Sequence, residues 1–164
     1  MKKFLPVLCL IGVILLSSVA QTQTKWIFVP PAAFMPESET MGYSRTINYM
    51  QFDSSYWSMY APVYLPQNAI IESVHLIYYD SADGYIQCSL YKLDVWAGTY
   101  DELIRVLSSG SELSGPRFSS SGTILNGWRW VDTSTRAYVV RVFASFGSGT
   151  AWDYNIRGVR IQYH

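Results

Sequence analysis

The chain has 164 residues, 12 Lys plus Arg against 12 Asp plus Glu, and two Cys. A formal net charge of zero excludes the strongly basic surface that holds nucleic acid. Only two histidines, His75 and His164, are present, which sets aside a multi-histidine metal site.

The first element is a leader. Lys2 and Lys3 precede the apolar stretch 4–16, and Ser17-Ser18-Val19-Ala20 follows, with small residues at Ser18 and Ala20. That order is the one a secretory signal peptide needs, so residues 1–20 are expected to be removed and the mature chain to begin at Gln21, secreted or held at the cell surface. An uncleaved anchor is the alternative, but the apolar stretch is shorter than the roughly 20 residues that span a bilayer. A lipid anchor is disfavoured because Cys9 lies mid-run behind Pro6-Val7-Leu8 rather than at its end. Cleavage leaves one domain, 21–164, with no membrane contact expected of it. A domain of that length can bury a core without disulfide staples. Losing Lys2 and Lys3 leaves ten Lys plus Arg against twelve Asp plus Glu, a net charge of −2. Cys88 is then the one remaining cysteine and can close no internal disulfide. None of Asn48, Asn68, Asn126 and Asn155 begins an Asn-x-Ser/Thr acceptor, in keeping with a bacterial secretion route.

From there on, short β-branched and aromatic runs alternate with Gly, Pro, Ser and Asp clusters about every ten residues, and no stretch keeps a 3.6-residue period. This predicts an all-β chain, an antiparallel two-sheet β-sandwich of jelly-roll type. In chain order the candidate strands are 25–29, 46–52, 56–64, 70–79, 85–95, 103–107, 123–131, 137–144 and 154–163. Asp83-Gly84 between two strong runs reads as a type I′ turn, which would pair 70–79 with 85–95. Alternation puts Ile86, Cys88 and Leu90 in the core and Gln87, Ser89 and Tyr91 outside. Ser119-Ser120-Ser121-Gly122 reads as a loop. Tyr138, Val140 and Val142 alternate with Arg141, so that strand has one wet face. In the last strand Tyr154 and Ile156 have one parity and Val159, Ile161 and Tyr163 the other. A β-bulge at Arg157-Gly158 would keep both sets inside.

Ala61-Pro62-Val63-Tyr64-Leu65-Pro66, Tyr78-Tyr79-Asp80-Ser81 and the closing Gly158-Val159-Arg160-Ile161-Gln162-Tyr163 resemble a pattern of uncharacterised exported bacterial β-sandwich proteins. There an A-P-V-x-L-P strand end leads through a tight turn into a long strand, and a G-V-R-I-x-Y strand ends the domain. The resemblance implies a fold and an exported setting, not an activity. Independently, Pro62 and Pro66 cannot donate to a ladder and so mark an edge or a strand end.

Sites of chemistry are few. His75 alternates with Ile71 and Ile77 and reads as a satisfied, partly buried strand residue rather than a general base. Gly-x-Ser-x-Gly is absent, and no enzymatic activity or cofactor is expected. Asp80 and Asp83 are a weak candidate for calcium, since Asp is also the ordinary turn former. The excess lies in aromatics, with 6 Trp, 13 Tyr and 7 Phe. Trp128 and Trp130 share one face of their strand, and Tyr56, Tyr60 and Tyr64 share another. A row of this kind facing solvent would stack on the C–H faces of sugar rings, which makes a non-catalytic carbohydrate-binding module the favoured function and a glycan the favoured partner. The competing reading rests on Trp26, Ile27, Phe28 and Val29, an apolar strand between a polar leader and Pro30-Pro31. Such a strand suits insertion into a neighbour's open sheet edge, and hence self-association as an extracellular filament or coat.

Overall fold

The computed structural model describes residues 23–38, 42–52, 56–80, 84–108, 117–121, 129–145 and 154–164; the expected leader, 1–20, lies outside them. Eleven strands among the described residues form two antiparallel sheets. In the first sheet β3 (Tyr43–Arg45), β4 (Met50–Phe52), β11 (Tyr154–Tyr163), β6 (Ile71–Asp80) and β9 (Arg117–Ser121) lie in that order. β1 (Lys25–Val29) also pairs with β11, matching Val29 to Val159 and Lys25 to Tyr163. The second sheet runs β2 (Met35–Pro36), β5 (Tyr56–Val63), β10 (Arg136–Ser145), β7 (Tyr85–Asp94), β8 (Thr99–Leu107). Pro30, which has no N–H to donate to a ladder, ends β1, and a 3-10 turn over Pro31–Ala33 leads to β2 in the other sheet. The two-sheet β-sandwich expected from the strand pattern is the fold observed. Among the described residues no helix is long and apolar enough to cross a membrane.

The core is built from the inward parity of the long strands. Ile86, Cys88 and Leu90 of β7, Tyr138, Val140 and Val142 of β10, and Leu76 and Tyr78 of β6 are all buried. Burial in apolar surroundings drives the Cys88 thiol far above its ordinary pKa, which keeps it an unreactive thiol. The expected bulge sits in β11, where the register with β6 slips between Ile156 and Gly158. Gly158 has φ +138°, a conformation closed to most side chains, and this one irregularity lets Tyr154, Ile156, Val159 and Ile161 all face the core.

Four features of the strand map differ from expectation. β6 and β7 do not form a hairpin through Asp83-Gly84. β6 is flanked by β11 and β9, β7 by β10 and β8, so both edges of each strand are occupied and the chain crosses from one sheet to the other between them. The Gly84 N–H donates to the Tyr154 hydroxyl at 2.8 Å. The serine run is no loop: Arg117–Ser121 is β9, aligned with Tyr78 to Val74 of β6. Residues 46–49 are a tight turn rather than strand, because the Thr46 hydroxyl accepts from the N–H groups of Asn48 and Tyr49 and competes with ladder pairing. Of the candidate strand 123–131, residues 123–128 lie outside the described part and Trp130 makes only an isolated bridge to Ile70.

Candidate functional site

Because side chains alternate along a strand, residues of one parity on neighbouring strands line up into a surface. On the outer face of the second sheet that surface is rich in aromatic and charged groups. Register places Tyr60 of β5 opposite Arg141 of β10, Val139 of β10 opposite Tyr91 of β7, and Leu93 of β7 opposite Tyr100 of β8. With Glu37, which follows β2, these residues line an open groove of about 280 Å³.

Glu37 and Arg141 organise one end of it. The Glu37 N–H donates to the Ser58 carbonyl at 3.0 Å, which fixes the chain after β2 against β5. The Tyr60 hydroxyl donates to Glu37 Oε1 at 3.2 Å, and Arg141 Nη2 stands 3.8 Å from Glu37 Oε2. Arg141 Nε donates to the Ser58 hydroxyl at 2.6 Å, and its guanidinium carbon lies 5.6 Å from the Tyr60 ring centre and 5.8 Å from that of Phe143. Partial burial disfavours the Arg141 charge, but its contact with the Tyr91 hydroxyl and the nearby Glu37 outweigh this and raise its pKa, so it stays cationic. Burial raises the Tyr60 pKa, which keeps its hydroxyl protonated and able to donate.

At the other end the Tyr91 and Tyr100 rings meet edge to face, 5.6 Å apart and inclined at 83°. Beside them the Ser89 hydroxyl donates to Glu102 Oε1 at 2.6 Å, and Arg105 grips both oxygens of Glu102, with Nε 2.8 Å from Oε1. Burial pushes the Glu102 carboxyl up, yet the bonds from Arg105 and Ser89 prevail and hold it below its ordinary range. Tyr100 is 71% exposed, and the turn that follows Asp94 presents Trp96 at 84%. The Asp94 carboxylate accepts from the N–H groups of Trp96 and Ala97, each at 2.9 Å, and pairs with Arg136, so this exposed tryptophan stands on a braced turn.

Of the residues singled out from the sequence, Tyr60 is in the groove. Tyr56 lies on the same strand opposite Ser145, its side chain outside the described part. Trp130 is 64% exposed but is held beside the start of β6 in the first sheet, through Val131 N–H to Ala69 O at 2.8 Å, and so does not join Tyr60. Trp128 and Asp83 lie outside the described residues. Asp80 is buried and accepts from the Ser108 hydroxyl at 2.5 Å, a tie between the end of β6 and the residue after β8. Among the described residues no three His, Cys, Asp or Glu come together as a metal site. His75 is partly buried, 2.8 Å from the Ser73 hydroxyl. Trp26, Ile27, Phe28 and Val29 pair with β11 of their own chain. Glu37, Val139, Arg141, Tyr91, Leu93 and Tyr100 escaped sequence reasoning as site residues. The outward parity of Tyr91 and Arg141 was the available signal, but which outward residues become neighbours depends on strand order.

No family model matches the chain, and no curated protein matches it. Its fold is similar to that of a solved xylan-binding module CBM15, with a TM-score of 0.53 at 12% identity over 85% of this chain and 97% of that one. It is similar also to the C-terminal CBM6 of LamC, a marine laminarinase from Zobellia galactanivorans, with a TM-score of 0.50 at 12% identity over 84% of this chain and 98% of that one. At such identity the likeness is one of fold.

Proposed function

We propose that the chain is a non-catalytic carbohydrate-binding module that works outside the cytoplasm, and that the outer face of the five-stranded sheet is its glycan site. The observation that carries this reading is the groove itself. Tyr60, Tyr91 and Tyr100 offer ring faces and hydroxyls, with Glu37 and Arg141 as fixed acceptor and donor among them. Rings supply flat apolar contact for sugar C–H faces, and a few placed polar groups fix orientation. From Tyr60 on β5 to Tyr100 on β8 is three inter-strand steps, about 14 Å at roughly 4.8 Å each, room for a chain of several sugar rings lying across the strands. The fold shared with a module named for binding xylan supports the assignment. The leader supports an exported setting.

The test is binding of the mature chain to immobilised soluble polysaccharides. The native protein should bind at least one, and Tyr60→Ala and Tyr100→Ala should each weaken that binding with little change in thermal midpoint. A folded native chain that binds no glycan would overturn the proposal.

A further inference from the structure

The strands that carry the groove hold their charges in pairs. Arg141 faces Glu37, Arg105 grips Glu102, Lys92 Nζ is 3.1 Å from Asp101, and Arg136 pairs with Asp94. Of these, Arg141, Glu37, Arg105 and Glu102 stand on the groove side of the sheet, two cations against two anions, so the described residues give this face no net charge. A face without net charge does not attract an anionic polymer from a distance. Nearby, Arg141 is the only guanidinium lining the groove among the described residues, and Glu37 stands beside it with one carboxylate oxygen bonded to Tyr60 and the other turned to Arg141. A uronate approaching Arg141 would therefore bring its carboxylate against that of Glu37. Neighbouring sugar hydroxyls meet no such conflict, since each both donates and accepts and can answer the Arg141 N–H groups and the Glu37 oxygens together.

We infer that the groove selects uncharged polysaccharide chains and that Glu37 is the residue that turns acidic chains away. The inference rests on the glycan-binding reading above. It commits the site to a neutral, hydroxyl-rich polymer, and it gives Glu37 the role of a specificity determinant in addition to that of a hydrogen-bond acceptor.

The experiment uses the mature chain and Glu37→Gln against immobilised hydroxyethyl cellulose, galactomannan and laminarin as neutral probes, with polygalacturonate and alginate as acidic ones. The native protein should bind a neutral probe, insensitive to added salt, and leave the acidic probes unbound. Glu37→Gln keeps the shape and a hydrogen-bonding oxygen but frees the Arg141 charge. Affinity for the acidic probes relative to the neutral one should then rise about fivefold, the scale of one half-exposed ion pair, and the gain should fade with salt. Glu37→Ala should show the same gain should Gln disturb the turn after β2. Native protein that binds polygalacturonate or alginate as tightly as the neutral probes, or folded Glu37 variants with an unchanged preference, would overturn the inference while leaving glycan binding in place. A native chain that binds none of the five overturns both.

Discussion

The outer faces of the two sheets use the same residue types for different ends. On the six-stranded sheet Trp26 stands edge-on to His75 at 5.1 Å with the Arg160 guanidinium 4.3 Å above its ring, and Phe28 lies over Gly158. These rings fasten β1 onto β11. On the five-stranded sheet Tyr60, Tyr91 and Tyr100 surround a groove instead. Exposure alone does not separate the two sets, since Trp26 is 42% and Phe28 53% exposed. What separates them is whether the ring already covers a neighbour or leaves a hollow beside it.

If that contrast holds, damage to the first face should cost stability and damage to the second should cost binding. The largest expected effect is deletion of residues 21–29, which strips β1 and opens the Val159 and Ile161 edge of β11. The monomer should lose several kcal/mol in urea titrations, in line with removal of a packed element. Assembly by strand addition predicts another outcome: the native chain forms fibres visible by electron microscopy, and the deletion stops them. Gly158→Val comes next. A Cβ at Gly158 would stand 2.5 Å from the Phe28 ring and 3.0 Å from the Val29 carbonyl, at φ +138°, so about 3 kcal/mol of destabilisation is expected from strain and displaced packing. A variant with native stability would show that Phe28 is not seated there.

β7 carries both sides of the contrast within four residues. Cys88→Ser puts a hydroxyl into a fully buried apolar site and should cost about 1–3 kcal/mol. Tyr91 belongs to the groove face of the same strand. For Tyr100→Ala, opposite Leu93 and mostly exposed, the expected stability change is within about 0.5 kcal/mol, while glycan affinity falls roughly tenfold or more. Denaturation and binding measured on the same preparations separate the two; a Tyr100→Ala chain that loses stability and keeps its affinity would make the groove rings packing.

How much of this was legible in the sequence follows from the range of the interactions. Alternation is local, so the inward residues of β7, β10 and β11 and the bulge at Gly158 could be read from spacing alone. Pairing is not local. Asp83-Gly84 carries the composition of a hairpin turn, yet β6 and β7 have stronger claims from β11 and β10, strands far away in sequence, and the turn chemistry loses to them. The site is less legible for the same reason. Tyr60, Tyr91 and Tyr100 come from three strands whose order the sequence does not state, and Glu37 enters through a short stretch after β2 that has no strong pattern. Paired tryptophans at 128 and 130 are conspicuous in sequence, whereas Trp130 is placed by its bridge to Ile70, away from the groove.

The smallest expected effect is a pH dependence confined to the first face. Burial lowers the His75 pKa from its ordinary value of 6.5, and repulsion from Arg160 adds to this against an opposing contact with Gln162. A histidine whose pKa is lowered by folding binds its proton more readily when unfolded. Its stabilising contribution is therefore complete above pH 6.5 and is lost as pH falls from there toward the folded value. Native protein should melt at a lower temperature near pH 5 than near pH 7.5, and His75→Gln should show a smaller difference. The contact of His164 Nδ1 with Glu72 Oε1, at 2.8 Å, is common to both proteins, so the difference between their profiles belongs to His75. His75 is on the opposite sheet from the groove, so the substitution should leave glycan affinity at either pH unchanged. An effect of His75→Gln on affinity would mean that the two faces are coupled through the core, and that the division of labour between them does not hold.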